Sequence, residues 1–163
     1  MASESAATPD DFKALFRAVP SAVSIMAMAV DGAVHATTVS AFTSLSVDPP
    51  MVMLAMDRRS ALLSLMRERS HFTMNVLGHE QSEQALVCAT KGPDKLPPVH
   101  WTVEGDSPRL RGSVAWASCR VERILDGGDH EIVLALILDC GVAGGSPLVY
   151  HDRTFHRIAA VGD

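Results

Sequence analysis

The chain has 163 residues, of which 47% are hydrophobic and 20% charged, and its formal net charge is −5. This size and composition fit one folded domain with a substantial core and exclude global disorder, while the acidic balance excludes a general nucleic-acid surface. No apolar run reaches the roughly 18 residues a spanning helix needs, and the N-terminal MASESAATPDD lacks the basic-then-apolar order of a secretory signal, so a cytoplasmic protein without a membrane partner is expected.

Residues 1–7 read as a flexible tail before a single domain over residues 8–163. Thr8 is a helix cap, Pro9 suits the first helical position, and Asp11 completes the capping-box spacing. Phe12, Leu15, Phe16 and Val19 supply an apolar face before Pro20 ends the helix. Residues 21–30 are extended, and Asp31-Gly32 turns them into a long mixed strand over residues 34–47. Pro49-Pro50 breaks that strand, and Met51 to Met56 forms a short apolar one.

Ser60 caps a helix to about Arg69, with Leu62, Leu65 and Met66 on one face. Residues 71–77 read as a strand and residues 80–89 as a short helix ending at Lys91-Gly92, followed by a loop punctuated at Pro93 and Pro97-Pro98. The last third reads as β throughout. It has long strands over residues 111–125 and 132–142, joined by the turn Asp126 to Asp129, then a hairpin of residues 148–151 and 154–158. Six or seven strands with a few short helices predict a mainly β fold, a closed or nearly closed antiparallel barrel. No GxGxxG or GxxxxGKS/T motif supports a Rossmann or phosphate-loop domain.

Three stretches carry candidate chemistry. From Thr37 to Ser46, six of ten residues bear a hydroxyl. If the strand bends, Thr37, Thr38, Ser40, Ser44 and Ser46, with backbone N–H groups near Val39 and Ala41, can hold a polar ligand; an edge strand rich in Thr and Ser would read the same. In Asp57-Arg58-Arg59-Ser60, either arginine with Ser60 and the helix start suits an anion, or the stretch is a solvated basic turn with a cap. In Gly127-Gly128-Asp129-His130, the glycines allow a tight turn and close ligand approach. Asp129 can orient His130, which can donate to a carboxamide or phosphate oxygen, give a proton, or simply start a strand.

The remaining histidines are dispersed and no metal site is expected; only a hairpin register could pair His151 with His156. Cys88, Cys119 and Cys140 read as reduced, mostly buried thiols, with a structural role favoured over a redox role for Cys88.

The ordered blocks HATTVSAFTSLSVDPPMVMLAMDRRS, HFTMNVL, GDHEI and PLVYHDRTF resemble the flavin reductase family of short flavin-binding proteins. The resemblance runs from about Phe12 to Ile158. It implies an antiparallel split β-barrel with short peripheral helices, and an NAD(P)H:flavin oxidoreductase passing hydride from nicotinamide C4 to flavin N5. It implies FAD or FMN as flavin, with NADH preferred over NADPH as donor. It also implies a homodimer, and a separate monooxygenase that receives reduced flavin. The alternative is a non-catalytic flavin-binding or electron-transfer barrel.

By the same resemblance, Thr37, Thr38, Val39, Ser40 and Ala41 wrap the isoalloxazine and ribityl chain. Ser44 and Ser46 lie toward the phosphate end, with Arg58 and Ser60 holding the phosphate. His130, supported by Asp129, lies near the nicotinamide, and Tyr150 and Phe155 complete that pocket. No obligatory acid or base is implied. The chain departs from the family near Cys88, where relatives commonly place a Phe, which implies a smaller and more open wall.

Overall fold

A computed structural model describes residues 6–90 and 100–162. The expected helix end at Lys91-Gly92, the loop prolines Pro93, Pro97 and Pro98, and residues 1–5 of the expected tail lie outside the described residues.

The first element begins where the capping signals fall. Thr8 Oγ1 accepts from the Asp11 N–H at 3.2 Å and Asp11 Oδ2 accepts from the Thr8 N–H at 3.2 Å, closing the capping box of α1 (Pro9–Arg17). Strands β1 (Ser21–Ala22), β2 (Ser24–Val30), β3 (Ala33–Val39), β4 (Phe42–Val47) and β5 (Pro50–Asp57) follow, then α2 (Ala61–Arg69), β6 (His71–Val76) and α3 (Ser82–Ala89). The chain finishes with β7 (Trp101–Glu104), β8 (Ser107–Leu110), β9 (Ala115–Gly127), β10 (His130–Val142), β11 (Leu148–His151) and β12 (Thr154–Arg157). Asp31 and Gly32 both take positive φ, 50° and 81°, as the two-residue β2–β3 turn requires. The β4–β5 turn carries a cis Asp48–Pro49 bond, and Pro50 pairs with Val47 at the start of β5.

The expected strand over residues 34–47 is two strands, and the break decides the architecture. The main sheet runs β3-β2-β6-β9-β10-β5-β4, so β3 and β4 lie on its two edges. Only Ser40 and Ala41 separate them in the chain. A sheet whose edges are joined by two residues has to curl until they meet, which makes a barrel. The register shows the stagger of that closure. Counted through β2, β6 and β9, Val39 is level with Val142 on β10. Counted the other way, the Ala41 carbonyl accepts from the Ala55 N–H at 2.8 Å, and Ala55 is opposite Ile132 on the same strand.

Three further differences from the sequence expectation have local causes. The strand expected from residue 111 starts at Ala115, because Gly112 turns the chain at φ 89° and the Ser113 N–H bonds back to the Leu110 carbonyl at 3.3 Å. Trp101 to Leu110, for which no strand was expected, forms the β7–β8 hairpin around Gly105 at φ 59°. The described strands also form a small β1-β11-β12 sheet beside the barrel sheet, so they outnumber the six or seven expected.

Two apolar clusters hold these parts together. Met26, Leu54, Met56, Phe72 and Val133 from the barrel meet Leu62, Leu63 and Met66 of α2. Val23, Ile25, Leu77, Leu110 and Leu148 meet Ala85 and Cys88 of α3. Each fully buried aliphatic side chain contributes about 1.5–3 kcal/mol. No residue of α1 is buried, and Phe12, Leu15 and Phe16 are 58%, 63% and 53% exposed.

Candidate functional site at the barrel crossover

The hydroxyl-rich stretch lies at the point where the barrel closes. Ser40 and Ala41 are exposed and belong to neither flanking strand. Among the described residues, no acceptor is found for the N–H of either one. Around them the hydroxyls divide their tasks. Thr38 Oγ1 donates to the Ala85 carbonyl at 2.6 Å, tying β3 to α3, and the fully buried Ser24 Oγ donates to the Val39 carbonyl at 2.8 Å. Thr37 is half-buried on β3, opposite Met26. On β4, Ser44 is exposed and Ser46 half-buried, with a bulge between them. The bend that would let several hydroxyls address one ligand is therefore present twice, at the crossover and at the bulge.

The second and third stretches meet each other. Asp57 ends β5 directly opposite His130, which starts β10. The Arg58 N–H donates to the Asp129 carbonyl at 3.3 Å, and Arg58 Nε donates to the Gly128 carbonyl at 2.6 Å. Its terminal nitrogens reach Asp126 and, at 3.4 Å, Glu131. These acceptors compete with the phosphate contact expected of Arg58. Arg59 is largely exposed and folds onto Asp57, with Nη2 to Oδ2 at 2.8 Å and Nε to Oδ1 at 3.0 Å. Ser60 caps α2 as expected, its Oγ accepting from the Leu63 N–H at 3.4 Å.

His130 Nδ1 and Asp129 Oδ1 are 2.8 Å apart, and the His130 ring stays 44% exposed. The hydrogen bond to His130 holds the Asp129 carboxyl below its ordinary range, and the imidazolium charge adds to the effect. Since Asp57 is opposite His130 and Ala55 binds Ala41, the His130 turn lies along the same edge of the barrel as the crossover.

Tyr150 and Phe155 form a cross-strand pair with ring centroids 5.2 Å apart. They belong to the small sheet, where Tyr150 is opposite Ser21, and Phe155 packs against the second apolar cluster. No described hydrogen bond or ring contact joins them to His130. The hairpin register does bring His151 within 5.8 Å of His156, but among the described residues no group of three or more candidate ligands surrounds a metal position.

Cys88 does not make an open wall. It is 5% exposed inside the second cluster, so its small volume is absorbed by the core. Arg109 stacks on Trp116 at 3.4 Å and pairs with Glu104 and Asp139 at 3.2 and 3.6 Å. This network leaves its charge largely compensated. Sequence reasoning missed this cluster, although Gly141 marks it: a Cβ there would meet Trp116 Nε1 at 2.6 Å. A cleft of about 230 Å³ at the far end of β2, lined by Asp31, Arg69, His71 and Asp106, holds none of the candidate site residues.

The crossover suits the polar edge of a flat heterocycle. Its exposed backbone N–H groups are donors of the kind that a ring nitrogen or oxygen accepts. With the barrel order, these features describe an antiparallel split barrel with an exposed polar crossover.

Comparison with known proteins agrees. The family model described as "Flavin reductase like domain" matches residues 16–159. The reductase component of a 4-nitrophenol 4-monooxygenase/4-nitrocatechol 2-monooxygenase from Rhodococcus opacus is 37% identical over 147 residues, covering 88% of this chain and 80% of that protein. A flavin reductase (NADH) from Kitasatospora aureofaciens is 35% identical, with 91% and 81% covered. Among solved structures, the styrene monooxygenase flavin reductase from Pseudomonas putida S12 superposes with a TM-score of 0.85 at 27% identity, covering 91% and 98%. Flavin reductase PheA2 shares the fold, with a TM-score of 0.87 at 22% identity and coverage of 94% and 100%. The chain belongs to the flavin reductase family.

Proposed function

We propose that the protein uses NADH to reduce FAD or FMN and supplies the reduced flavin to a separate flavin-dependent monooxygenase. It is an NAD(P)H-dependent flavin reductase. The observation that carries the reading is the exposed Ser40–Ala41 crossover, with its free N–H groups, beside the Asp129–His130 turn. NAD(P)H, oxidised flavin and a proton give NAD(P)+ and reduced flavin, and the flavin carries the redox chemistry.

The chain's own work is binding and orientation. Thr37 and the backbone from Thr38 to Ala41 hold the ring edge and ribityl chain. Ser44 and Ser46 extend that surface along β4, and Ser60 with the first turn of α2 serves the phosphate end. His130, steadied by Asp129, positions the nicotinamide as a hydrogen-bond donor, and Tyr150 and Phe155 close the pocket from the small sheet. Hydride transfer needs two rings in register more than it needs an acid or base, so orientation carries most of the effect.

NADH is the preferred donor because no added basic cluster in the sequence marks a 2′-phosphate site; of Arg109 and Arg111, the two cations that could meet one, Arg109 is engaged with Trp116, Glu104 and Asp139. A homodimer is supported by apolar side chains left in solvent, among them Phe12, Leu15, Phe16, Val47 at 93% and Val142 at 84% exposed. No helix among the described residues is long and apolar enough to cross a membrane, and the net charge of −5 favours neither nucleic acid nor an anionic surface. A cytoplasmic location is part of the proposal.

The test is an oxygen-free matrix of NADH and NADPH against FAD and FMN, read by flavin bleaching. NADH with at least one flavin is expected to react much faster with protein than without. Equal rates with and without protein in all four cells would refute the proposal.

A further inference from the structure

We infer that Arg58 is a positioning residue for His130: its guanidinium clamps the β9–β10 hairpin and so fixes the side chain that receives the nicotinamide. The inference rests on the nicotinamide reading of His130.

Four bonds from one residue converge on one turn. The Arg58 N–H donates to the Asp129 carbonyl at 3.3 Å, and Nε donates to the Gly128 carbonyl at 2.6 Å. Nη2 meets Asp126, and Nη1 meets Glu131 at 3.4 Å. These partners lie on both sides of His130 in the chain. A guanidinium is a rigid planar fork, so acceptors at fixed angles to it are also fixed relative to one another.

Beyond its ladder bonds, the tip of the turn has little packing of its own. Gly128 sits at φ 79° with nothing within 4 Å of the place a Cβ would occupy, so packing does not hold it. Asp129 and Asp126 are both largely exposed, with side chains 95% and 84% open. Glu131 is the sheltered member at 14%, and it also receives Arg67 from α2. The network thus ties the hairpin to the end of β5 and to α2, beside the crossover.

A phosphate contact makes a different demand. It would place an anion against a guanidinium already facing two carboxylates, and the anion would have to displace or tolerate them. Clamp and phosphate roles therefore predict different losses.

The experiment is a double-mutant cycle on the full-length enzyme with Arg58→Met, Arg58→Lys, His130→Ala and the pair Arg58→Met/His130→Ala. NADH kinetics are measured at saturating flavin, and dissociation constants are measured for FMN and for phosphate-free riboflavin. Arg58→Met should raise the NADH KM about fivefold to tenfold, with a smaller change in kcat. Arg58→Lys, which keeps the charge and loses the fork, should recover only part. The pair should be no worse than His130→Ala alone, because Arg58 acts through His130.

A loss of FMN affinity without loss of riboflavin affinity would overturn the clamp in favour of a phosphate contact. Additive effects in the pair would also overturn it. If His130→Ala leaves the NADH KM unchanged, the nicotinamide reading falls, and the clamp is judged by amide hydrogen exchange at residues 128–130. Faster exchange there in Arg58→Met supports the clamp, and unchanged exchange overturns it.

Discussion

Asp129 and Cys119 show how single side chains report their surroundings. The bond to His130, followed by the imidazolium charge, lowers the Asp129 carboxyl. A depressed folded-state value means that the interaction stabilises above the unfolded Asp value of about 3.9 and is lost as pH falls through the folded value. The Asp129 carboxyl should therefore titrate below about 3.9 by NMR and move upward in His130→Ala. A midpoint at or above the ordinary value in the wild type would contradict the pairing.

Burial, with the nearby Cys140 charge adding, pushes the Cys119 thiol up to about 12. Its unfolded counterpart ionises near 8.5, so stability from the neutral buried thiol is present below about 8.5 and lost progressively toward 12. At pH 8 in native buffer a thiol reagent should label Cys140, which is exposed, and spare Cys88 and Cys119 until the protein unfolds. Rapid labelling of Cys119 would contradict its burial. The sequence expectation of mostly buried thiols holds for two of the three. Cys140 differs although the register shift between Ile137 and Asp139 sets it opposite buried Ala117, because it lies in the exposed last part of β10.

Among the elements, the local signals in the sequence are realised and the non-local pairings are the hidden part. Thr8 with Asp11, Ser60, Asp31-Gly32 and Asp152-Arg153 set ends and turns through neighbours in the chain, so they are legible. The break at Ser40–Ala41 is not, because both halves have strand-like composition and only partners on opposite sheet edges separate them. The β7–β8 hairpin is short, and much of its support comes from elsewhere. Buried Asn75 donates to the Ile25 and Pro108 carbonyls at 3.3 Å each, and its Oδ1 accepts from the Leu110 N–H at 2.8 Å. Asn75→Ala would leave those groups unpaired in the core and should cost on the order of 2–3 kcal/mol in chemical denaturation. A change within about 0.5 kcal/mol would show that the side chain does not tie the hairpin to the barrel.

For the whole molecule, closure and site are one event. The residues that join the barrel's edges are the ones whose exposed N–H groups the proposal assigns to the ligand, with the His130 turn two positions along β5 from Ala55. The sequence blocks point to flavin chemistry but do not display this geometry, since Ala41 meets Ala55 and Ile132 only through the register. The homodimer proposal rests on the exposed apolar side chains of α1 and of β4, Leu45 and Val47 among them. Light scattering should give twice the chain mass, and Leu15→Asp/Phe16→Asp should shift it toward the monomer. A wild-type monomer at micromolar concentration would remove the homodimer from the account.

The central claim is that the barrel crossover is the flavin cradle. It is tested most directly by following the backbone amide resonances of Ser40 and Ala41 as FMN or FAD is added to the isotope-labelled protein. Both amides should shift and saturate with the dissociation constant measured by flavin fluorescence, and His130→Ala should leave that response intact. Saturable flavin binding with unmoved Ser40 and Ala41 amides would contradict the account and place the flavin elsewhere on the barrel.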